Sequence, residues 1–273
     1  MNTRAIRAVV RKDLKVAMQS KPVMLPLIII PLIFVVVFPT ALCLLAPVAA
    51  TEAGSRMNNM QELLAQVSPA LKNILLGLDP AQQIVVFGTV YMLAPMFLLL
   101  PLMVASVFSA DSFAGEKERK TLEALAYSPI SDRDLFVAKV LGSWIPAVAV
   151  SVLGFVVYTL VVNLAGYPVM QRIFFPNISW LLLVFWVSPA VAAASLGATV
   201  LVSAKVSTFQ EAYQLGGVVV LPVIMLMIGQ LTGVLYFSSW FVALLGLVLW
   251  GIAALLIRYG GQSFQRSKML GSQ

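Results

Sequence analysis

Ten of the chain's 29 charged residues fall between Asp111 and Asp134, most of them in FAGEKERKTLEALAYSPISDRD, residues 113–134. Glu116 with Lys120, and Arg119 with Glu123, stand at i, i+4, where opposite charges meet on a helix. Leu122 and Leu125 add a narrow apolar stripe, with Phe113 further back. Pro129 disfavours helix at Ser128. Ser131-Asp-Arg-Asp134 then has the form of a capping box, with Asp in place of the longer Glu, opening the next helix. A short helix with mixed charge and a few apolar anchors suits docking on a specific, polar-rimmed surface. The competing reading is a solvated hairpin with no partner.

Catalytic chemistry finds little to work with. GEKERKT resembles the end of a phosphate-binding loop, but that motif needs Gly at 120 and Lys at 121. Here those positions hold Lys120 and Thr121, and no apolar strand precedes them, so nucleotide binding by this chain is rejected. There is no histidine. No metal or cofactor site and no enzymatic activity are expected of this chain, because the usual acid, base and metal ligands are missing. Cys43, the single cysteine, lies in an apolar run and reads as a small buried hydrophobe.

The elements that must hold the charged segment are set by composition. The chain is 60% hydrophobic and 11% charged, against about 25% charged in soluble domains. Apolar runs of 18 or more residues recur, each long enough for a hydrocarbon core of about 30 Å. The expected architecture is an all-α integral membrane protein with six spans near residues 22–50, 83–108, 134–164, 178–202, 211–231 and 240–258. The first run is longer than the apolar region of a cleaved signal and reads as an uncleaved span. Pro22, Pro26, Pro31 and Pro39 make kinks an expectation there.

Residues 1–21 are basic. Arg4, Arg7, Arg11 and Lys15 share one stripe of a helical wheel, and Ile6, Val10, Leu14 and Ala17 another. That pattern predicts an interfacial helix with its cations near anionic headgroups. Between the first two spans, Met60, Leu63, Leu64 and Val67, then Leu71, Ile74 and Leu75, predict two short amphipathic helices. Ser68-Pro69 marks the start of the second. With the N-terminus in the cytoplasm, 15 of the 18 Lys and Arg fall inside and Arg56, Lys72 and Arg172 outside. This strong positive-inside split places both termini, and the charged segment at 110–130, in the cytoplasm of a multi-pass cell-membrane protein.

The span centres carry no ionisable group, which disfavours a proton or ion relay. Thr208-x-x-Glu211 reads as a capping box. Asn163, Gln214, Gln230 and Thr232 are the polar candidates for a pathway, each with interhelical hydrogen bonding as its alternative. Gly229-Gln-Leu-Thr-Gly233 offers a close-packing GxxxG.

Phe113-Ala-Gly-Glu116-Lys-Glu118-Arg-Lys-Thr121-Leu-Glu-Ala-Leu125, Ser128-Pro129-Ile130-Ser131 and Lys139 together resemble the pattern of ABC-2 type permeases. These are membrane subunits of type V ABC exporters, including a sodium- and drug-efflux branch. Lys120 and Ala138 replace glycines usual in that pattern. Gln210-Glu-Ala-Tyr-Gln214-Leu-Gly216-Gly217 with Pro222 resembles the family's fifth span. The resemblance implies that the segment between spans 2 and 3 is a coupling helix seated on a separate ATP-hydrolysing subunit, through Phe113, Gly115, Glu116, Glu118, Arg119, Thr121, Leu122, Leu125 and Pro129. It implies a second permease copy, and ATP with Mg bound by the partner ATPase. The competing function is an ion-coupled transporter or channel without an ATPase.

Overall fold

The computed structural model describes residues 3–54, 72, 75–119, 121, 130–232, 235 and 237–263. Helix α1 (Thr3–Gln19) precedes six helices long and apolar enough to cross a membrane. These are span 1 (Leu27–Thr51), span 2 (Pro80–Glu118), span 3 (Asp132–Met170), span 4 (Ile178–Ser203), span 5 (Phe209–Gln230) and span 6 (Ser239–Gln262). No strand occurs among the described residues. The amphipathic pattern at 60–71, the Ser68-Pro69 start and the Gly233 end of the GxxxG lie outside the described residues.

Spans 2 and 4 form the centre, mostly buried, and spans 1, 3, 5 and 6 surround them with largely exposed apolar faces. The sequence allows this because the central pair is rich in small residues. Ser195 Oγ donates to the Leu102 carbonyl at 3.0 Å. Its single proton is then used, so Ser106 Oγ donates to Ser195 Oγ across 2.6 Å. Apolar side chains gain nothing by leaving lipid, so close packing and such hydrogen bonds must hold the helices together. Span 4 meets span 6 in the same way: a Cβ on Gly197 would stand 2.7 Å from Leu256 Cβ.

Hydrogen bonds fix the relative directions of spans 2 to 6. Gln82 near the start of span 2 donates to the Val169 carbonyl at the end of span 3. Ser179 meets Ser239, joining the starts of spans 4 and 6. Lys117 and Glu118 at the end of span 2 bond Val206 and Phe209, between spans 4 and 5. Helix α1, the end of span 2, the start of span 3, the 4–5 connection and the end of span 6 therefore share one side, termed here the α1 side.

Spans 2 and 3 each have 39 residues, or about 58 Å at 1.5 Å per residue. Both outrun the hydrocarbon core, and both are longer than their apolar runs predict. Span 1 continues a helix that starts at Lys21, without a break at its prolines. A π-helical turn at Ile33–Val37 lies between Pro31 and Pro39, a local adjustment by which membrane helices accommodate proline.

A second π-helical turn, Phe87–Met92, lies in span 2. Three successive carbonyls of this turn each receive a side-chain donor from a different span. Tyr158 Oη of span 3 donates to Thr89 at 2.6 Å. Trp180 Nε1 of span 4 donates to Val90 at 2.7 Å. Gln230 Nε2 of span 5 donates to Tyr91 at 2.7 Å. Gln230 is thus a buried interhelical hydrogen-bonding residue.

Candidate functional site

The α1 side carries a buried cluster of ionised groups. Lys139, about two turns into span 3, is fully buried. An unpaired amine there would be costly, and the chain surrounds it with acceptors. Its Nζ is bonded to a Glu116 carboxylate oxygen and to the Ser112 carbonyl. It also reaches Ser112 Oγ at 3.2 Å and lies 3.9 Å from Asp13 Oδ2. The other carboxylate oxygen of Glu116 takes Lys12 of α1. Ser112 Oγ donates to Asp13 Oδ2 at 2.9 Å. Arg119 Nη1 donates to Asp111 Oδ1 at 2.9 Å. Three cations and three carboxylates therefore meet at the junction of α1, span 2 and span 3, and all of them but Lys139 line a cavity of about 90 Å³.

Local structure builds this cluster. Ser131 Oγ accepts from the Asp134 N–H at 3.1 Å and caps the start of span 3, which sets the position of Lys139 two turns on. A third π-helical turn, Asp111–Gly115, carries Asp111, Ser112 and Phe113. The ring of Phe113 lies under Lys139, with Nζ 5.4 Å from its centroid. Helix α1 comes close to span 3 at Gly142, where a Cβ would lie 3.9 Å from Val10 Cα.

Burial of Lys12 opposes its charge, but the hydrogen bond and charge of Glu116, with Asp13, outweigh that and raise its pKa above the ordinary lysine value. Burial likewise opposes the charge of Arg119, and Asp111 outweighs it. A cation whose folded-state value is raised stabilises fully below its unfolded-state value and is lost only as pH climbs through the folded one. Both contacts are therefore intact at neutral pH.

The end of span 2 is a four-way junction. Glu116 holds α1 and span 3. Lys117 Nζ donates to the Val206 carbonyl at 3.0 Å. Glu118 Oε2 accepts from the Phe209 N–H at 2.8 Å, at the start of span 5. Arg119 turns back on Asp111 of its own helix. Three consecutive side chains thus join the end of span 2 to α1, span 3, the 4–5 connection and the start of span 5, and Arg119 closes on its own helix.

This corrects the local reading of the segment. Residues 111–118 are the continuation of span 2 rather than a separate helix. Glu116 bonds Lys12 and Lys139, far away in sequence, and Arg119 bonds Asp111. Of the residues read as contacts for a partner, Phe113, Gly115 and Glu116 are covered by the chain's own helices. Burying the cluster's charges requires that cover. Glu118, Arg119 and Thr121 are exposed, and Leu122, Leu125 and Pro129 lie outside the described residues.

Sequence reasoning gave no role to Asp13, Asp111 or Ser112. One signal was present for Asp13: it falls on the same wheel position as Ile6 and Ala17, the buried face of α1. A carboxylate on an apolar stripe calls for a buried partner.

The other polar candidates separate cleanly. Gln214 is exposed, and Thr232 is exposed with its hydroxyl on the carbonyls of its own helix end. Asn163 clamps the 3–4 connection, bonding the Phe175 carbonyl and the N–H groups of Phe174 and Phe175. Thr208 Oγ1 accepts from the Glu211 N–H at 3.2 Å, and Glu211 reaches back to the Ser207 N–H.

Gly115 tests the cluster's packing. A Cβ there would stand 2.9 Å from Asp111 Oδ1 and 3.2 Å from Arg119 Nη2. Gly115→Val is expected to displace that ion pair and cost about 1–3 kcal/mol. Gly251→Val, where nothing lies within 4 Å, should cost less than 1 kcal/mol, since no neighbour must move. Unfolding titrations in mixed micelles compare the two.

A family model described as ABC-2 family transporter protein matches residues 7–267. No curated protein and no solved structure matches the chain.

Proposed function

The chain belongs to the ABC-2 family of transporter proteins, and from that premise we propose that it exports its cargo with energy drawn from a separate ATPase. Membership makes it a transport component, the permease subunit of an ABC transporter, in a multi-pass membrane setting. In this reading the α1 side faces the cytoplasm of the cell membrane, as the distribution of Lys and Arg favours. The partner ATPase binds ATP with Mg. It docks on the exposed end of span 2 and the connection that follows, through Glu118, Arg119, Thr121, Leu122, Leu125 and Pro129. Phe113, Gly115 and Glu116 position that end from within. The sodium- and drug-efflux branch is the one its motifs resemble.

One observation carries the proposal: Glu116, Lys117 and Glu118 tie the end of span 2 to α1, span 3, the 4–5 connection and the start of span 5. A push on this turn cannot move one helix alone. Closure of two ATPase subunits on ATP would shift two such turns as rigid bodies, the kind of interface motion that drives switching. Two ATPases require a second permease copy. The exposed apolar face of span 5, with Val218, Leu221, Met225 and Ile228, is available to it.

Site-specific cross-linking tests the docking. In a Cys43→Ala background, Thr121→Cys should join the ATPase subunit in the co-expressed complex, and Trp240→Cys on the far side should not. Absence of an adduct at residue 121 in an assembled, ATP-hydrolysing complex would overturn the docking surface.

A further inference from the structure

Helix α1 has a second face that the charge cluster does not use. Ile6, Asp13 and Ala17 are buried against the bundle. Nearly opposite, Arg7, Arg11 and Lys15 are exposed at i, i+4 and i+8. Beside them runs a parallel apolar line, Val10, Leu14 and Met18, offset by about 60° at 3.6 residues per turn. The two lines together bound a wide, shallow groove along the helix, lined among the described residues by α1 alone.

We propose that this groove binds an anionic phospholipid. The phosphate lies along Arg7, Arg11 and Lys15, and the upper acyl chain lies on Val10, Leu14 and Met18. Charge complementarity selects the ligand, because among the described residues no carboxylate lines the groove to balance its three cations. The apolar half selects a lipid over a free anion, since inorganic phosphate has nothing to place on it. Continuity with the membrane selects a lipid over a soluble protein. Span 1's helix begins two residues after α1 ends, and Leu25, Ile28, Ile29 and Leu32 are all exposed. An interfacial helix with cations on one line and apolar residues on the next is built for this boundary.

The site would bear on the rest of the molecule through α1 itself. Lys12 and Asp13 hold Glu116 and Ser112 from the same helix. A lipid bound on the outer face adds to what keeps α1 seated on spans 2 and 3. The membrane's anionic lipid content thereby acts on the junction at the end of span 2.

The binding step needs no ATPase, so it stands or falls apart from the coupling role. The full chain is reconstituted alone in phosphatidylcholine nanodiscs, and association of spin-labelled phosphatidylglycerol is compared with that of spin-labelled phosphatidylcholine. The wild-type chain should prefer the anionic lipid. The preference should fall about fivefold for each cation removed, and vanish in Arg7→Gln/Arg11→Gln/Lys15→Gln. Arg258→Gln, an exposed cation on span 6, should leave it unchanged. Millimolar inorganic phosphate should not displace the lipid. An undiminished preference in the triple variant overturns the proposal, as does an equal loss in Arg258→Gln or displacement by phosphate. So does a triple variant that keeps its lipid but no longer captures the ATPase, which would make this face a protein contact.

Discussion

Glu116→Gln is expected to destabilise the chain by about 3–5 kcal/mol, the cost of breaking a buried ion pair by removing one partner. Glu116 is 3% exposed and serves two lysines, one of which is fully buried. Without its charge, Lys12 can turn to water, but the fully buried Lys139 is left with Asp13 at 3.9 Å as its nearest remaining carboxylate. Lys139 cannot escape by extending to solvent, because Phe113 and the start of span 3 enclose it. The second variant decides the mechanism. Glu116→Gln/Lys139→Met removes the stranded amine along with its acceptor, and should recover most of the loss, since buried pairs are often replaced by apolar residues at little cost. Unfolding of both variants in mixed micelles gives the coupling between the two sites. A double variant no more stable than the single one would show that the penalty lies in packing and not in the stranded charge.

The same residue shows what the sequence could and could not reveal. Six spans, their order and the mixed charge at 111–134 follow from composition and run length, because lipid demands long uncharged helices. Local capping follows too: Ser131 and Thr208 stand three residues before the N–H groups they accept from. The partner of Glu116 does not follow. Sequence offers Lys120 at i+4, which lies outside the described residues, and the fold adds Lys12 and Lys139 from two other helices. Local spacing describes a helix in water, but a carboxylate at a helix junction pairs with whatever the tertiary packing brings. Gln230 is a similar case. Sequence offers an interhelical hydrogen bond there, but its partner comes only from the fold, where the π-helical turn of span 2 places the Tyr91 carbonyl 2.7 Å away. Nothing in the FGTVYM stretch announces that turn.

Trp180→Ala should produce a loss of comparable size, about 3–5 kcal/mol, at the opposite end of the bundle. Trp180 is 1% exposed. Its ring stacks on Tyr158 at 4.8 Å and meets Phe97 and Phe175 edge-on at 5.3 and 4.9 Å. In lipid the transfer part of such a cost shrinks, because the exposed ring would meet hydrocarbon anyway. The cavity part remains, since packing is what joins these helices. Trp180→Phe isolates the polar part. It leaves a ring in place but removes the donor to the Val90 carbonyl, and should cost about 1 kcal/mol. Trp240→Ala, at a ring 79% exposed, should change stability by less than 0.5 kcal/mol, as surface changes away from such features do. The aromatic cluster ties spans 2, 3 and 4 together on the far side, and the charge cluster ties α1, span 2 and span 3 on the α1 side. Under the proposed docking, a push at Glu116–Arg119 would turn the helices about the aromatic end instead of translating them. Trp180→Ala should then lower stability and ATPase stimulation together. Retained stimulation in that variant, with stability lost, would show that the pivot lies elsewhere.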